Sequence, residues 1–154
     1  MASILILSGG SPAAAAYAGY AAARLGERGR AARVVCVRDL PTLALLTGDA
    51  DHPAIARLRG DAVEALVVVA AVTRASTSGL LKTLVGLLAP EFPALPVAVG
   101  AFPAHARVLD HALRPALGPR ALPTLFLPEH QADLDPLDAA LGTLETVNAC
   151  SRPG

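Results

Sequence analysis

Ile4-Leu5-Ile6-Leu7-Ser8-Gly9-Gly10-Ser11-Pro12 runs from four apolar residues into two glycines and on to the alanine-rich stretch Ala13-Ala14-Ala15-Ala16-Tyr17-Ala18. A continuous apolar run without polar alternation is the pattern of a strand covered on both faces. Proline suits the first turn of a helix, where its missing N–H would be unpaired in any case. A glycine-rich turn between strand and helix aims free backbone N–H groups at one point, where a phosphate or other anion can sit. The stretch therefore predicts a strand, a tight turn and a helix, with a ligand at the turn.

Four more apolar runs follow, Val34 to Val37, Ala65 to Ala71, Leu95 to Val99 and Leu122 to Leu127. Helical patterns separate and follow them at Pro12 to Arg28, Pro53 to Gly60, Ser78 to Leu88, His105 to Leu117 and Asp133 to Ala149, with Asp133 placed as an N-cap. Strand and helix alternate five times, which predicts a three-layer α/β fold around a doubly wound, five-stranded parallel sheet. The length of 154 residues suits one domain over residues 1–150, followed by a disordered tail at 151–154. The segment Arg38 to His52 is the one long connection and is expected to border a pocket.

Thirteen basic and 13 acidic residues cancel, so no charge excess points to nucleic acid or to a membrane surface. Cys36 and Cys150 have neither the number nor the spacing of a disulfide framework or a zinc site, and no metal is expected. No apolar run approaches the ~20 residues of a membrane helix, and the first residues carry no basic leader pattern. A cytoplasmic protein is the expectation.

In a doubly wound sheet, ligands bind outside the carboxyl ends of the strands, where the strand order reverses. Three loops converge on that edge: Ser8 to Ala13, Val72 to Ser78, and Gly100 to Ala104. The second reads Val72-Thr73-Arg74-Ala75-Ser76-Thr77-Ser78-Gly79-Leu80-Leu81-Lys82. This loop, together with Gly10-Ser11-Pro12 and with Ala104-His105, Asp110, Ala112-Leu113-Arg114-Pro115 and Leu117, resembles the NADPH-dependent FMN reductases of the flavodoxin-like fold. The sulfonate-utilisation flavin reductases are the nearest type.

The resemblance implies FMN and NADPH as cofactor and reductant, with hydride passed to the flavin and the flavin handed to a partner monooxygenase. It implies that Ser8, Gly10, Ser11 and Pro12 shape the phosphate end, and that Val72, Thr73, Arg74, Gly100 and Ala101 border the ring. It also implies a homodimer or homotetramer through the Ser78 to Leu88 helix, whose leucines form an apolar arc wider than one sheet face requires. The chain departs from the family in these same loops. Ala13, Ala16 and Ala18 stand where arginine and hydroxyl residues usually grip the phosphate, and Ala71-Val72-Thr73 replaces Pro-Val-Tyr beside the ring. Thr77 stands where the sulfonate type often has a tyrosine, and Val99-Gly100-Ala101-Phe102 replaces a Thr-Gly-Gly-like loop while offering Phe102 as another stacking face. Two alternatives stay open: a member that has lost flavin and serves as an oligomeric scaffold, and a cofactor-free enzyme reusing the pocket with His105 as acid or base.

Several of these residues also have structural readings. Ser8, Ser11 and Ser78 can cap turns and helices; the topology assigns Ser11 to the ligand and Ser78 to a cap. Arg74 can attract a phosphate or simply be solvated. His105 and His111 lie six residues apart, on different helical faces, and cannot form an i,i+4 metal pair. Asp110 and Arg114 have the spacing of a surface ion pair.

Overall fold

A computed structural model describes residues 3–9, 11–60, 62–73, 78–130 and 133–151. Five strands, β1 (Ser3–Gly9), β2 (Ala32–Cys36), β3 (Val63–Ala71), β4 (Ala94–Gly100) and β5 (Leu125–Pro128), pair in parallel in the order β2-β1-β3-β4-β5. The three central strands are almost wholly buried. That burial explains their unbroken Val, Leu, Ile and Ala runs, because both faces of each strand meet helices.

Alternate residues feed two apolar layers. Ile4, Ile6, Val67, Val69, Val97 and Val99 pack under α1 (Pro12–Glu27) and α6 (Asp135–Cys150). Leu5, Leu7, Leu66, Val68, Ala70 and Ala98 pack under the opposite layer, which includes α3 (Pro53–Gly60), α4 (Gly79–Leu88) and α5 (His105–Leu117). Small side chains at Ala14, Ala18 and Ala21 bring α1 close to the sheet. Its far end stops at Gly29, whose φ of 76° is the left-handed conformation glycine adopts at no steric cost.

The long connection after β2 is more ordered than the sequence pattern predicts. It contains a 3-10 turn (Val37–Asp39) and a short helix, α2 (Thr42–Thr47), closed by Gly48 at φ 66°. Six residues are too few to display helical periodicity, and the helix is held by burying Ala44 and Leu45 in the α4 layer. β5 is shorter than the apolar run Leu122 to Leu127. Leu122 still bonds to β4, donating its N–H to Ala94 O at 2.7 Å, but Pro123 has no N–H with which to continue the ladder, and the strand proper starts at Leu125. α6 begins at Asp135 with Leu134, not the expected Asp133, at the N-cap position; Asp133 sits one residue earlier and accepts the Asp135 N–H at 2.9 Å in a local turn. Ser151 follows the last turn of α6; residues 152–154 of the expected tail lie outside the described residues.

Most of the wide apolar arc of α4 is consumed within the chain. Leu81, Leu84 and Val85 are fully buried, and Leu80, Leu87 and Leu88 pack half-buried on the same layer. The most exposed leucines of that layer are instead Leu43 (72%) and Leu46 (70%) on α2. No helix among the described residues is long and apolar enough to cross a membrane.

Candidate functional site

The register brings the three predicted loops together. Ser8 stands opposite Cys36 on one side and Val69 on the other, Gly9 opposite Ala70, Ala71 opposite Val99, and Gly100 opposite Pro128. The chain leaves β1 for β2 on one side and later enters β3 on the other, so the carboxyl ends of β1 and β3 flank the crevice where winding reverses.

Ser8 is 2% exposed at the end of β1. The Ser11 hydroxyl accepts the Ala14 N–H at 3.1 Å and so caps α1, an arrangement that contributes about 1 kcal/mol. The capping role leaves its O–H free to donate outward, so Ser11 is both a structural residue and a residue of the crevice. With Pro12, Ala15, Cys36 and Arg38, the two serines line a cavity of about 120 Å³. That is well below the size of a whole-cofactor pocket and suits a group of phosphate size. Nothing in the residue types of Cys36 and Arg38 marks them as site residues. Their signal is register, since the end of β2 pairs with the end of β1, and Arg38 makes good the expectation that its connection borders a pocket.

On the other side of the α1 start, Ala13, Ala16, Tyr17, Tyr20, Glu129 and Leu134 line an open cavity of about 320 Å³. Both tyrosine hydroxyls are committed elsewhere. Tyr17 donates to Pro128 O at 2.6 Å, and Tyr20 donates to Asp138, which also receives Arg24 Nε at 2.9 Å. Burial pushes the Tyr17 phenol above its ordinary value. No basic side chain lies in the first turn of α1, and the lining includes the Glu129 carboxylate, so this cavity is unsuited to an anion.

Val72 is buried and Thr73 exposed at the end of β3. Gly10, Arg74, Ser76 and Thr77 lie outside the described residues. Ser78 caps α4, accepting the Leu81 N–H at 3.3 Å, as its position predicts.

Gly9 and Gly100 face the same helical layer, and in each case the chain's own side chain fills the space a Cβ would take. A Cβ on Gly9 would meet Leu81 Cδ2 at 3.0 Å, and one on Gly100 would meet His105 Nδ1 at 2.5 Å. Gly100 is therefore required by the imidazole packed on it, a reason the sequence did not disclose. Nδ1 of His105 is buried with no hydrogen-bond partner among the described residues, while Phe102 meets the same ring edge-to-face, centroids 5.6 Å apart. Ala101 and Phe102 are exposed, Phe102 at 65%.

Asp110 and Arg114 form more than a surface ion pair. Arg114 donates Nε to Asp110 at 2.9 Å and a second nitrogen to the same oxygen, and reaches Leu122 O at 3.0 Å, while Thr124 donates its hydroxyl to Asp110 at 2.9 Å. The pair ties α5 to the lead-in of β5, away from the crevice. Hydrogen bonds from Arg114 hold the Asp110 carboxyl below the usual carboxylate range, with Thr124 adding to that shift against the opposing effect of burial. No group of three or more metal-ligating side chains occurs among the described residues.

The model of a family described as NADPH-dependent FMN reductase matches residues 2–135. A Pseudomonas putida protein described as FMN reductase (NADPH) is 35% identical over 124 residues, covering 74% of this chain and 63% of its own length. The chain thus spans less than two thirds of that relative. Among solved structures, the apo form of an NADH:FMN oxidoreductase superposes with a TM-score of 0.78 at 28% identity, over 98% of this chain and 91% of that one. An oxidoreductase from Corynebacterium diphtheriae superposes at 0.72 with 20% identity over 99% of both chains. An archaeal flavodoxin superposes at 0.61 with 12% identity over 97% and 98%. The last two establish the flavodoxin-like fold.

Proposed function

The chain belongs to the NADPH-dependent FMN reductase family, and from that premise we propose that it is an NAD(P)H:flavin oxidoreductase, the reductase half of a two-component system. The observation that carries this reading is the convergence of the β1, β3 and β4 loops on the switch-point crevice, beside a cavity of phosphate size that contains Ser8 and Ser11.

The flavin supplies the redox chemistry when bound, taking hydride from NADPH. The chain supplies binding and orientation. Ser8, Gly10, Ser11 and Pro12 form the phosphate end, with Arg38 as the cation that α1 itself lacks. Val72, Thr73, Arg74, Gly100 and Ala101 border the ring, and residues 1–150 make up the single flavodoxin-like domain. Self-association uses the α4 layer, where Leu43 and Leu46 beside α4 offer the exposed apolar side chains. The setting is cytoplasmic, and a monooxygenase would be the consumer of the reduced flavin.

Titration of FMN with the purified protein should quench flavin fluorescence, and adding NADPH or NADH should give flavin-dependent oxidation of the nicotinamide. No quenching and no turnover at millimolar flavin would reject the reading. Light scattering on the same sample reads the oligomeric state.

One observation favours a second reading, a scaffold that has lost flavin: the first turn of α1 carries alanines and no cation. Under that reading, Ala13→Arg with Ala16→Ser creates flavin affinity where the parent has none.

A further inference from the structure

We propose that Phe102 and His105 form the ring platform of the flavin site, Phe102 by contact with the isoalloxazine and His105 as the positioning residue that holds Phe102. The inference rests on the flavin reading above and assigns the stacking surface to the loop after β4, in place of the loop after β3.

The loop after β3 begins Val72-Thr73, with Val72 buried and no aromatic group at either position. The other aromatic side chains are engaged or covered: Tyr17 and Tyr20 donate their hydroxyls to the chain itself, Phe92 packs on the α4 and α5 layer, and Phe126 is half-buried within β5. Phe102 is 65% exposed, two residues beyond the end of β4 at the ligand edge. It is not loose. Its ring meets His105 at an interplanar angle of 78°, and its carbonyl accepts the His105 N–H at 2.9 Å. His105 is in turn seated on Gly100, in the space where any other residue would place a Cβ. An edge-on partner leaves a face of an aromatic ring open, and a ring already held in place loses little freedom when another stacks on it.

The test measures the affinity of the intact protein for FMN and for riboflavin by fluorescence quenching. Phe102→Ala should weaken both flavins about fivefold and reduce the quenching at saturation, whereas Phe102→Tyr should stay within about twofold of the parent. Because Phe102 is exposed, its variants keep the melting temperature, which separates contact from folding. His105→Ala should weaken binding in the parent and add nothing in the Phe102→Ala background, as expected of a residue acting through another. Unchanged affinity in Phe102→Ala while the parent binds flavin overturns the platform and leaves the family function standing. A loss confined to FMN also overturns it, since the contact would then involve the phosphate. A parent that binds neither flavin overturns both.

Discussion

His105 Nδ1 lies 2.5 Å from where a Cβ on Gly100 would stand, too close for both. Gly100→Ala should therefore overpack the junction of β4 and α5 and cost about 1–3 kcal/mol in urea denaturation. The loss should shrink when His105→Ala is added, because the small side chain vacates the space. Additive losses in that double-mutant cycle would show that the two residues do not compete for one volume.

Ser11 caps α1 and faces the crevice, and two substitutions separate these roles. Ser11→Ala should cost about 1 kcal/mol of stability through the unpaired Ala14 N–H. Ser11→Asp should keep the cap but place a negative charge beside the phosphate end, weakening FMN much more than riboflavin. Equal weakening of the two flavins would remove Ser11 from that end.

Arg114 joins α5 to the carbonyl of Leu122 and to Asp110. Arg114→Ala should cost about 2 kcal/mol and raise hydrogen exchange first in β5. Asp110 also gives the clamp a pH dependence. Its carboxyl titrates lower in the folded chain than in the unfolded one, so its contribution is complete above the ordinary carboxylate pKa near 4 and disappears as the pH falls through the folded value. Asp110→Asn should flatten this acid limb in stability measured between about pH 5 and 2, and an unchanged limb would exclude the pair as its source.

Tyr17 contributes to the opposite limb together with Tyr20, both phenols being raised first by burial. Burial raises the Tyr17 pKa above 10.0, so above that pH the unfolded chain loses the phenolic proton while the folded chain keeps it, and stability falls with rising pH. Tyr17→Phe should lose about 1 kcal/mol near neutrality, through the missing bond to Pro128 O, and should be less sensitive to alkali. Alkaline melts of the two proteins at matched ionic strength make the comparison.

Leu43 and Leu46 are the exposed apolar side chains beside α4. If the oligomer forms through this layer, Leu43→Glu with Leu46→Glu should yield monomers by light scattering without lowering the melting temperature of the monomer. An unchanged mass would place the interface elsewhere.

The layered architecture was legible in the sequence, because β1, β3 and β4 are apolar at nearly every residue that must be covered on two faces, Ser8 being the exception, and because Pro12, Gly29, Ser78 and Asp133 act on the backbone within a few residues of themselves. The sequence also pointed to one edge for the proposed site, since parallel strands joined by helices bring every strand-to-helix loop to the same side. Tertiary structure alone decided what meets across that edge. The pairing of β2 with β1 brought Cys36 and Arg38 beside Ser8. Burial against α4 ordered the six residues of α2. The lead-in of β5 turned the Asp110 and Arg114 spacing into a clamp, and α5 set an imidazole on Gly100. Spacing along a chain reports which residues share a face of one element; which side chain fills the space between two elements depends on distances that only packing establishes.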